Sequence, residues 1–124
     1  MTTMHPDNQN TIRQHVVGRR LSGVTFVMDY VQLQFDPPPT INSMTPITVR
    51  SGGRMAVSGD EPFRNLLCEQ IPKTVTDVSL VDGESLTFSF EDGSTVSLSL
   101  RREDYSACQE AVNVCGRDHL FIVI

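Results

Sequence analysis

Residues 85–100 read SLTFSFEDGSTVSLSL, and this stretch decides the fold. Apolar residues alternate with small polar residues on both sides of an Asp-Gly pair. Such alternation around a turn signal predicts a β-hairpin that buries one face and exposes the other. The chain is therefore predicted to be a sheet protein, with an outer hairpin face of serine and threonine.

The register of this hairpin follows from parity, because directly opposed residues of an antiparallel pair point to the same face. A two-residue loop at the Asp-Gly pair sets apolar residues opposite polar ones. A three-residue loop at residues 91–93 instead places Phe88 opposite Val96 and Leu86 opposite Leu98, so both faces are uniform. We therefore predict the three-residue loop, which ends in glycine.

Two further turns are predicted in the same way. A three-residue turn at residues 81–83 places Val78 opposite Leu86 and makes residues 74–100 a three-stranded meander. Upstream, the sequence from Leu21 reads LSGVTFVMDYVQLQFD and predicts another hairpin. Its two-residue turn at residues 29–30 would oppose Phe26 to Leu33 and Val24 to Phe35.

Two segments carry the apolar spacing of helices. Residues 60–71, DEPFRNLLCEQI, begin with a capping aspartate and end before a proline, and residues 103–113 predict a second, shorter helix. Residues 1–10 are predicted to be a disordered tail, and residues 11–124 a single domain.

The predicted fold class is α+β. We expect a strongly curved antiparallel sheet or partly closed β-barrel of about six to eight strands, with the main helix covering an open end or face. A hairpin followed by a return strand occurs twice along the chain. This pattern suggests two repeated hairpin units, at about residues 18–58 and 68–101.

Composition excludes several classes of function. The chain of 124 residues carries a net charge of −5, which would repel a phosphate backbone, so nucleic-acid binding is not expected. No apolar run is long enough to span a bilayer, and the first ten residues lack the pattern of a signal peptide. We therefore expect a cytoplasmic protein that does not bind membranes.

The charge is unevenly distributed along the chain. Residues 1–58 hold five arginines and three aspartates, whereas residues 59–124 hold five basic and twelve acidic side chains. A solvated surface whose sign varies explains this pattern most simply. Self-association or an ionic partner is the alternative interpretation.

Metal and cofactor chemistry has little support in the sequence. The residues that could bind zinc are Cys68, Cys108, Cys115 and His119. Their spacing matches no zinc finger or ribbon, so we expect no metal and no cofactor. Structural thiols in a reducing compartment are the default interpretation.

The order of motifs resembles a family of small uncharacterised bacterial proteins. The segments that carry the resemblance are GRRLSGVTFVMDYVQLQFD, PITVRSGG, NLLCEQI, TVTDVSLVDGESLTFSFEDGSTVSLSL and REDYSACQEA. It covers roughly residues 18–111 and departs from the family pattern at the three prolines 37–39. It implies a compact sheet protein of unassigned role, encoded as a stand-alone gene in bacterial genomes or mobile elements, and no catalytic residue.

A non-enzymatic binding protein that acts through protein contacts as a homodimer is the favoured function. An apolar terminal strand would be an aggregation-prone edge if it were left unpaired, which motivates a dimer. The residues predicted to form that interface are Leu120, Phe121, Ile122, Val123 and Ile124.

Two alternatives remain open. In the first, a pocket inside the curved sheet binds or transforms a small molecule, and its ligand-binding residues are Arg50, Arg54, Tyr30, Tyr105 and Glu103. In the second, the acidic second half binds a basic partner, as an immunity or antitoxin-like protein would.

Overall fold

The computed structural model describes residues 6–105, 110–116 and 121–124. In these ranges the chain forms two helices, α1 (Pro6–Val16) and α2 (Phe63–Cys68), and a 3-10 turn at Arg102–Asp104. The strands of the same ranges are β1 (Arg20–Val27), β2 (Tyr30–Asp36), β3 (Thr40–Ser43), β4 (Ile47–Ser51), β5 (Arg54–Val57), β6 (Val75–Val81), β7 (Ser85–Phe90), β8 (Thr95–Ser99), β9 (Val112–Cys115) and β10 (Phe121–Val123).

The described strands form two antiparallel five-stranded sheets, which confirms the α+β class. The first sheet has the order β1-β2-β3-β9-β10 and the second the order β5-β4-β8-β7-β6. An isolated bridge between Arg20 and Thr74 joins the two sheets at one corner. The predicted barrel is not observed in the described residues. The described strands number ten instead of the predicted six to eight, and they form two open sheets because β3 pairs with β9 whereas β4 pairs with β8.

One apolar core lies between these elements and draws on both sheets and both helices. The rings of Phe35 in the first sheet and Phe88 in the second lie 5.7 Å apart. At α2, Phe63 packs edge-to-face on Phe26 of β1, with 6.4 Å between ring centroids. Burial of such side chains contributes roughly 1.5–3 kcal/mol each and is the main force that holds the sheets together.

The β7–β8 hairpin has the predicted register. Phe88 pairs with Val96 and Leu86 with Leu98, and these residues are buried while their neighbours in sequence are less so. The loop is closed by a hydrogen bond from the Gly93 N–H to the Phe90 carbonyl, with Gly93 at φ +88°. That conformation favours glycine, so parity and turn chemistry indicated the same loop.

The register predicted for the other two hairpins is wrong. The β1–β2 turn lies at residues 28–29, so that Phe26 pairs with Val31, and not at residues 29–30. In the β6–β7 hairpin Leu80, and not Val78, pairs with Leu86. Both errors shift the pairing by two residues. A two-residue shift leaves every side chain on the same face, so the apolar pattern does not detect it.

The N-terminal segment differs from the predicted tail. Helix α1 begins at Pro6, inside residues 1–10, and contacts β6 of the second sheet. Ile12 and Val16, four residues apart on one helix face, are fully buried in the core. The low apolar content of the segment obscured a helix that is stabilised by this tertiary packing.

Both helices predicted further along the chain need correction. Helix α2 is shorter than residues 60–71 at both ends, and at its start Asp60 accepts a hydrogen bond from the Val57 N–H instead of capping the helix. The helix predicted at residues 103–113 is wrong where the structure describes it. Its start is the 3-10 turn, and its end belongs to β9, in which Val112 and Val114 are buried on one face. Residues 106–109 lie outside the described residues.

The two predicted repeat units do not correspond to the two sheets. Residues 18–58 contribute β1, β2 and β3 to the first sheet and β4 and β5 to the second. In the described part of the chain, neither helix has the length and apolarity needed to cross a bilayer.

Candidate functional site

The five residues predicted to bind a ligand lie in two different regions. Arg50 and Arg54 flank the β4–β5 turn at one end of the second sheet. Tyr30 begins β2, while Glu103 and Tyr105 belong to the 3-10 turn region after β8. The structure therefore does not bring the predicted set together in one pocket. The clefts that contain these residues open at hairpin ends and turns, while core side chains lie between the sheets.

A cleft of about 310 Å³ lies at the arginine-flanked turn. Its walls are the β4–β5 turn, with Gly52 and Gly53 at φ +58° and +79°, and the β7–β8 loop at residues 92–94. Both torsions are positive, which a two-residue type I′ turn requires. The β4–β5 turn thus faces the β7–β8 loop across the cleft.

The two arginines of this cleft are not equivalent. The Arg54 guanidinium forms a two-pronged ion pair with Glu69 of the α2 end, with N–O distances of 2.6 and 3.2 Å. This hydrogen-bonded pairing raises the pKa of Arg54 and lowers the pKa of Glu69. Arg50 is exposed, and among the described residues it has no ion-pair partner. Arg50 is therefore the cation that this cleft offers to a ligand.

A polar cluster lies beneath the same cleft and was missed in the sequence. Lys73 Nζ lies 2.7 Å from Asp92 Oδ2 and donates to Gln70 Oε1 at 2.8 Å. Ser94 Oγ lies 2.6 Å from Asp92 Oδ1 and 2.8 Å from Gln70 Oε1, so its single proton serves one of these two acceptors at a time, and Gln70 is fully buried. The hydrogen bond from Lys73 and those from Ser94 hold the pKa of Asp92 well below its usual range. The cluster links the loop after α2 to the β7–β8 turn.

The Asp92–Ser94 part of that cluster could have been predicted from the local sequence. An aspartate that accepts a hydrogen bond from the backbone N–H two residues later is an Asx turn, and Asp92 accepts from the Ser94 N–H at 3.0 Å. Gln70 and Lys73 gave no such signal, because only the tertiary fold brings them to the turn. The cluster is fully hydrogen-bonded, which indicates a structural role.

Tyr30 lines a second cleft, of about 350 Å³, between the β1–β2 turn and the segment that connects β3 to β4. Asp104, from the 3-10 turn, reaches this cleft, but Glu103 and Tyr105 are engaged elsewhere. Glu103 accepts a hydrogen bond from Arg101 at 2.8 Å, and the Arg102 guanidinium lies 5.7 Å from the Tyr105 ring centroid. The acidic residues that line this cleft are thus Asp29 and Asp104, and the latter is next in sequence to the predicted Glu103.

The predicted interface strand is β10, the edge strand of the first sheet. Ile122 and Ile124 pack against the core, whereas Val123 is 44% exposed. Leu120 and the side chain of Phe121 lie outside the described residues. The terminal run is therefore partly buried within its own chain, and what remains exposed is its edge.

The residues considered for zinc binding are only partly described. Cys68 and Cys115 are exposed free thiols, so the interpretation of the cysteines as structural thiols is wrong for Cys68. Cys108 and His119 lie outside the described residues. Among the described residues, no group of three cysteine, histidine or acidic side chains is placed to bind a metal ion. The absence of a metal stays a prediction.

The resemblance inferred for residues 18–111 gains no support from comparison and stays a prediction. Comparison with family models, with curated proteins and with solved structures found no match to this chain.

Proposed function

We propose that the protein is a non-enzymatic binding module that acts through protein contacts and associates with a second copy through the edge of β10. The observation that carries the proposal is the ladder of the first sheet, in which β10 pairs with β9 on one side and ends the sheet on the other. An open strand edge is a template for pairing with another chain.

The hydrogen bonds between β9 and β10 show which backbone groups face outward. Ile124 and Val112 exchange two bonds, of 2.9 and 3.1 Å. Bonded and non-bonded pairs alternate along an antiparallel ladder, so Ile122 also directs its N–H and C=O toward β9. The N–H and C=O groups of Phe121 and Val123 therefore point toward the open edge.

This arrangement supports one symmetric register for a dimer. Two antiparallel copies of β10 related by a two-fold axis at Ile122 place Phe121 opposite Val123 of the partner subunit. Each such pair exchanges two hydrogen bonds, so all four outward N–H and C=O groups of the two residues are satisfied in both copies. The two Ile122 side chains then face each other on the core side of a continuous ten-stranded sheet, formed from two five-stranded sheets.

Other sheet edges have internal partners. At β5, Asp60 bonds to both the N–H and the C=O of Val57. At β6, Gln9 of α1 accepts the Leu80 N–H, and Gly18 and Arg19 bond to Val75. At β1, the Leu21 N–H donates to the Lys73 carbonyl. In the described part of the chain no comparable cap bonds to Phe121 or Val123, which favours β10 as the pairing edge.

The test uses a variant that changes the open edge alone. Val123→Pro removes an N–H that no described group of the monomer uses, while Val123→Thr keeps that N–H and the β-branched shape. Light scattering after size-exclusion chromatography should show a concentration-dependent dimer for the wild type and for Val123→Thr, and a monomer for Val123→Pro. Val123→Lys, which places a charge at the edge, is a second variant in case the proline disturbs folding.

Two results would contradict the proposal. A wild type that stays monomeric up to about millimolar concentration lacks the dimer altogether, because association that weak provides only ~4 kcal/mol. A dimer that persists in folded Val123→Pro and Val123→Lys uses another surface. Circular dichroism and the melting temperature establish that each variant is folded.

Binding of a small anion is a second candidate function, favoured by the exposed Arg50 in the cleft of about 310 Å³. A phosphate titration followed by amide chemical shifts tests it. Shifts confined to Gly52, Gly53 and Gly93, and lost in Arg50→Gln, would support the site. Shifts spread over all surface arginines, or unchanged in Arg50→Gln, would count against it.

A further inference from the structure

The residues that line the cleft between the β1–β2 turn and the β3–β4 connection play no part in the proposed function. Two carboxylates line it, Asp29 from the β1–β2 turn and Asp104 from the 3-10 turn, together with the phenol of Tyr30. These residues come from two separate places in the chain, and the fold brings them to one cleft of about 350 Å³.

Two buried hydroxyl groups in this cleft can act only as hydrogen-bond acceptors toward a ligand. Ser43 and Thr45, which line the cleft, are 1% and 6% exposed. Ser43 Oγ donates its proton to the Thr45 carbonyl at 3.0 Å, and Thr45 Oγ1 donates to the Ser99 carbonyl at 2.5 Å. A hydroxyl whose only proton is committed to a carbonyl retains lone pairs alone, so both oxygens favour a donor.

The two carboxylates have capacity left for a donor. Asp104 Oδ2 accepts one hydrogen bond, from Ser99 Oγ at 2.5 Å, and within the described ranges Oδ1 has no hydrogen-bond partner. Neither Asp29 nor Asp104 has an ion-pair partner there. The neighbouring cations are engaged elsewhere, because Arg101 pairs with Glu103 and Arg102 lies over Tyr105. The cleft therefore carries uncompensated negative charge.

Apart from Ser58, the rest of the lining is apolar. It includes Val27, Val31, Met44, Pro46 and the side chain of Met28, which is 91% exposed at the turn. A small inorganic cation would gain nothing from this wall, and the described residues hold no cluster of three ligands for a metal ion. An alkyl chain would bury apolar surface here while its charged end meets the carboxylates.

We propose that this cleft binds an organic cation, an ammonium or guanidinium group carried on an alkyl stem. The carboxylates of Asp29 and Asp104 receive the charged head, and the side chains beside Met28 pack on the stem. The same chemistry is found in a free alkylamine and in a lysine or arginine side chain of a basic protein. The net charge of −5 attracts either one.

The experiment titrates the full-length protein with three matched small probes and one peptide. The small probes are n-butylammonium, n-butylguanidinium and neutral n-butanol, and the peptide is tetralysine with blocked ends. Amide chemical shifts and calorimetry should show saturable binding of the two cations at the residues of the cleft, with n-butanol at least about tenfold weaker. Tetralysine that binds more tightly than n-butylammonium indicates a protein partner, and the reverse order indicates a free amine.

Substitutions decide whether the carboxylates carry the binding. Asp104→Asn removes the charge but keeps an acceptor for Ser99 Oγ. We expect Asp104→Asn and Asp29→Asn each to weaken cation binding about tenfold. Asp82→Asn removes an equal charge at the β6–β7 turn, outside this cleft, and should leave binding within about twofold. Equal binding of n-butanol and the cations would overturn the proposal, as would an equal loss in Asp82→Asn, which indicates diffuse attraction. Unchanged binding in both cleft variants would overturn it as well.

Discussion

Gln9 and Leu80 are 71 residues apart in the sequence, yet the side-chain carbonyl of Gln9 accepts the backbone N–H of Leu80 at 2.7 Å. Leu80 lies on β6, an edge of the second sheet, and Gln9 lies on α1. A side chain thus occupies the position that a neighbouring strand would take. Arg13, one turn further along α1, lies 3.0 Å from Asp77 of the same strand and holds the helix beside that edge.

Removal of this cap should destabilise the fold measurably. We expect Gln9→Ala to lower the free energy of unfolding by about 1 kcal/mol, because the part-buried N–H of Leu80 loses its acceptor. Gln9→Glu keeps an acceptor and is the matched control. Urea unfolding measures both, and hydrogen exchange of the Leu80 amide should accelerate in the alanine variant alone. Unchanged exchange in Gln9→Ala would mean that the bond contributes nothing in solution.

The ion pair at Lys73 predicts a dependence of stability on pH. The pKa of Asp92 is lowered from its ordinary value of 3.8, so its contribution is present above pH 3.8 and is lost as the pH falls toward the lower folded value. The difference in melting temperature between the wild type and Asp92→Asn should therefore be largest at neutral pH and shrink below about pH 4. Because the Asp92 side chain is 46% exposed, we expect a modest difference that salt reduces further.

Asp82→Asn is the control for that prediction, since it removes a carboxylate from the other acidic hairpin turn of the second sheet, at residues 82–84. An equal pH dependence in both variants would indicate a general charge effect and would contradict a specific role for the Lys73 pair.

Alanine substitutions at Gly93 and Gly23 should differ in their effect on stability, because the two glycines have different backbone conformations. Gly93 has φ +88°, so Gly93→Ala forces a side chain into the left-handed region and should lower stability by about 1–2 kcal/mol. Gly23 has no such torsion, and a Cβ there would meet the flexible end of the Gln34 side chain. Gly23→Ala should therefore have the smaller effect, measured by urea unfolding. The reverse order would show that the β7–β8 loop tolerates another conformation.

Substitutions on the two faces of β8 should also differ in their effect on stability. Leu98 is fully buried, and Leu98→Ala should lower the free energy of unfolding by about 2–5 kcal/mol. Its neighbour Ser97 lies on the outer face, where its hydroxyl is 2.8 Å from Thr87 Oγ1. Ser97→Ala should lower stability by less than about 1.5 kcal/mol, which is the upper range for a single hydrogen bond. Similar values for the two variants would contradict the assignment of faces.

The alternation of apolar residues was enough to predict the sheet class, the inner faces and the β7–β8 loop. It was not enough to separate registers that differ by two residues, as at Phe26 and Leu80. The reason is geometric, since such registers share the same faces and differ only in turn position and in cross-strand partners. The turn at residues 28–29 contains no glycine, so turn chemistry gave no correction there.

Features that depend on distant residues were missed for another reason. The burial of Ile12 on α1 and the meeting of Lys73 with Asp92 arise only when separate segments pack together. The strand at Val112 was predicted as part of a helix because a short apolar segment fits either period. Asp29 and Asp104 are likewise unremarkable in the sequence, and only the fold places them in one cleft.

The position of β9 beside β3 sets an order of events for folding during synthesis. Thr40 pairs with Cys115 and Asn42 with Asn113, whereas the five strands of the second sheet all lie within residues 47–99. The second sheet can therefore assemble while the β3 edge is still unpaired, because the ribosome has not yet released β9. At about 5–20 residues per second this interval lasts seconds, and during it the unpaired β3 edge is open to aggregation.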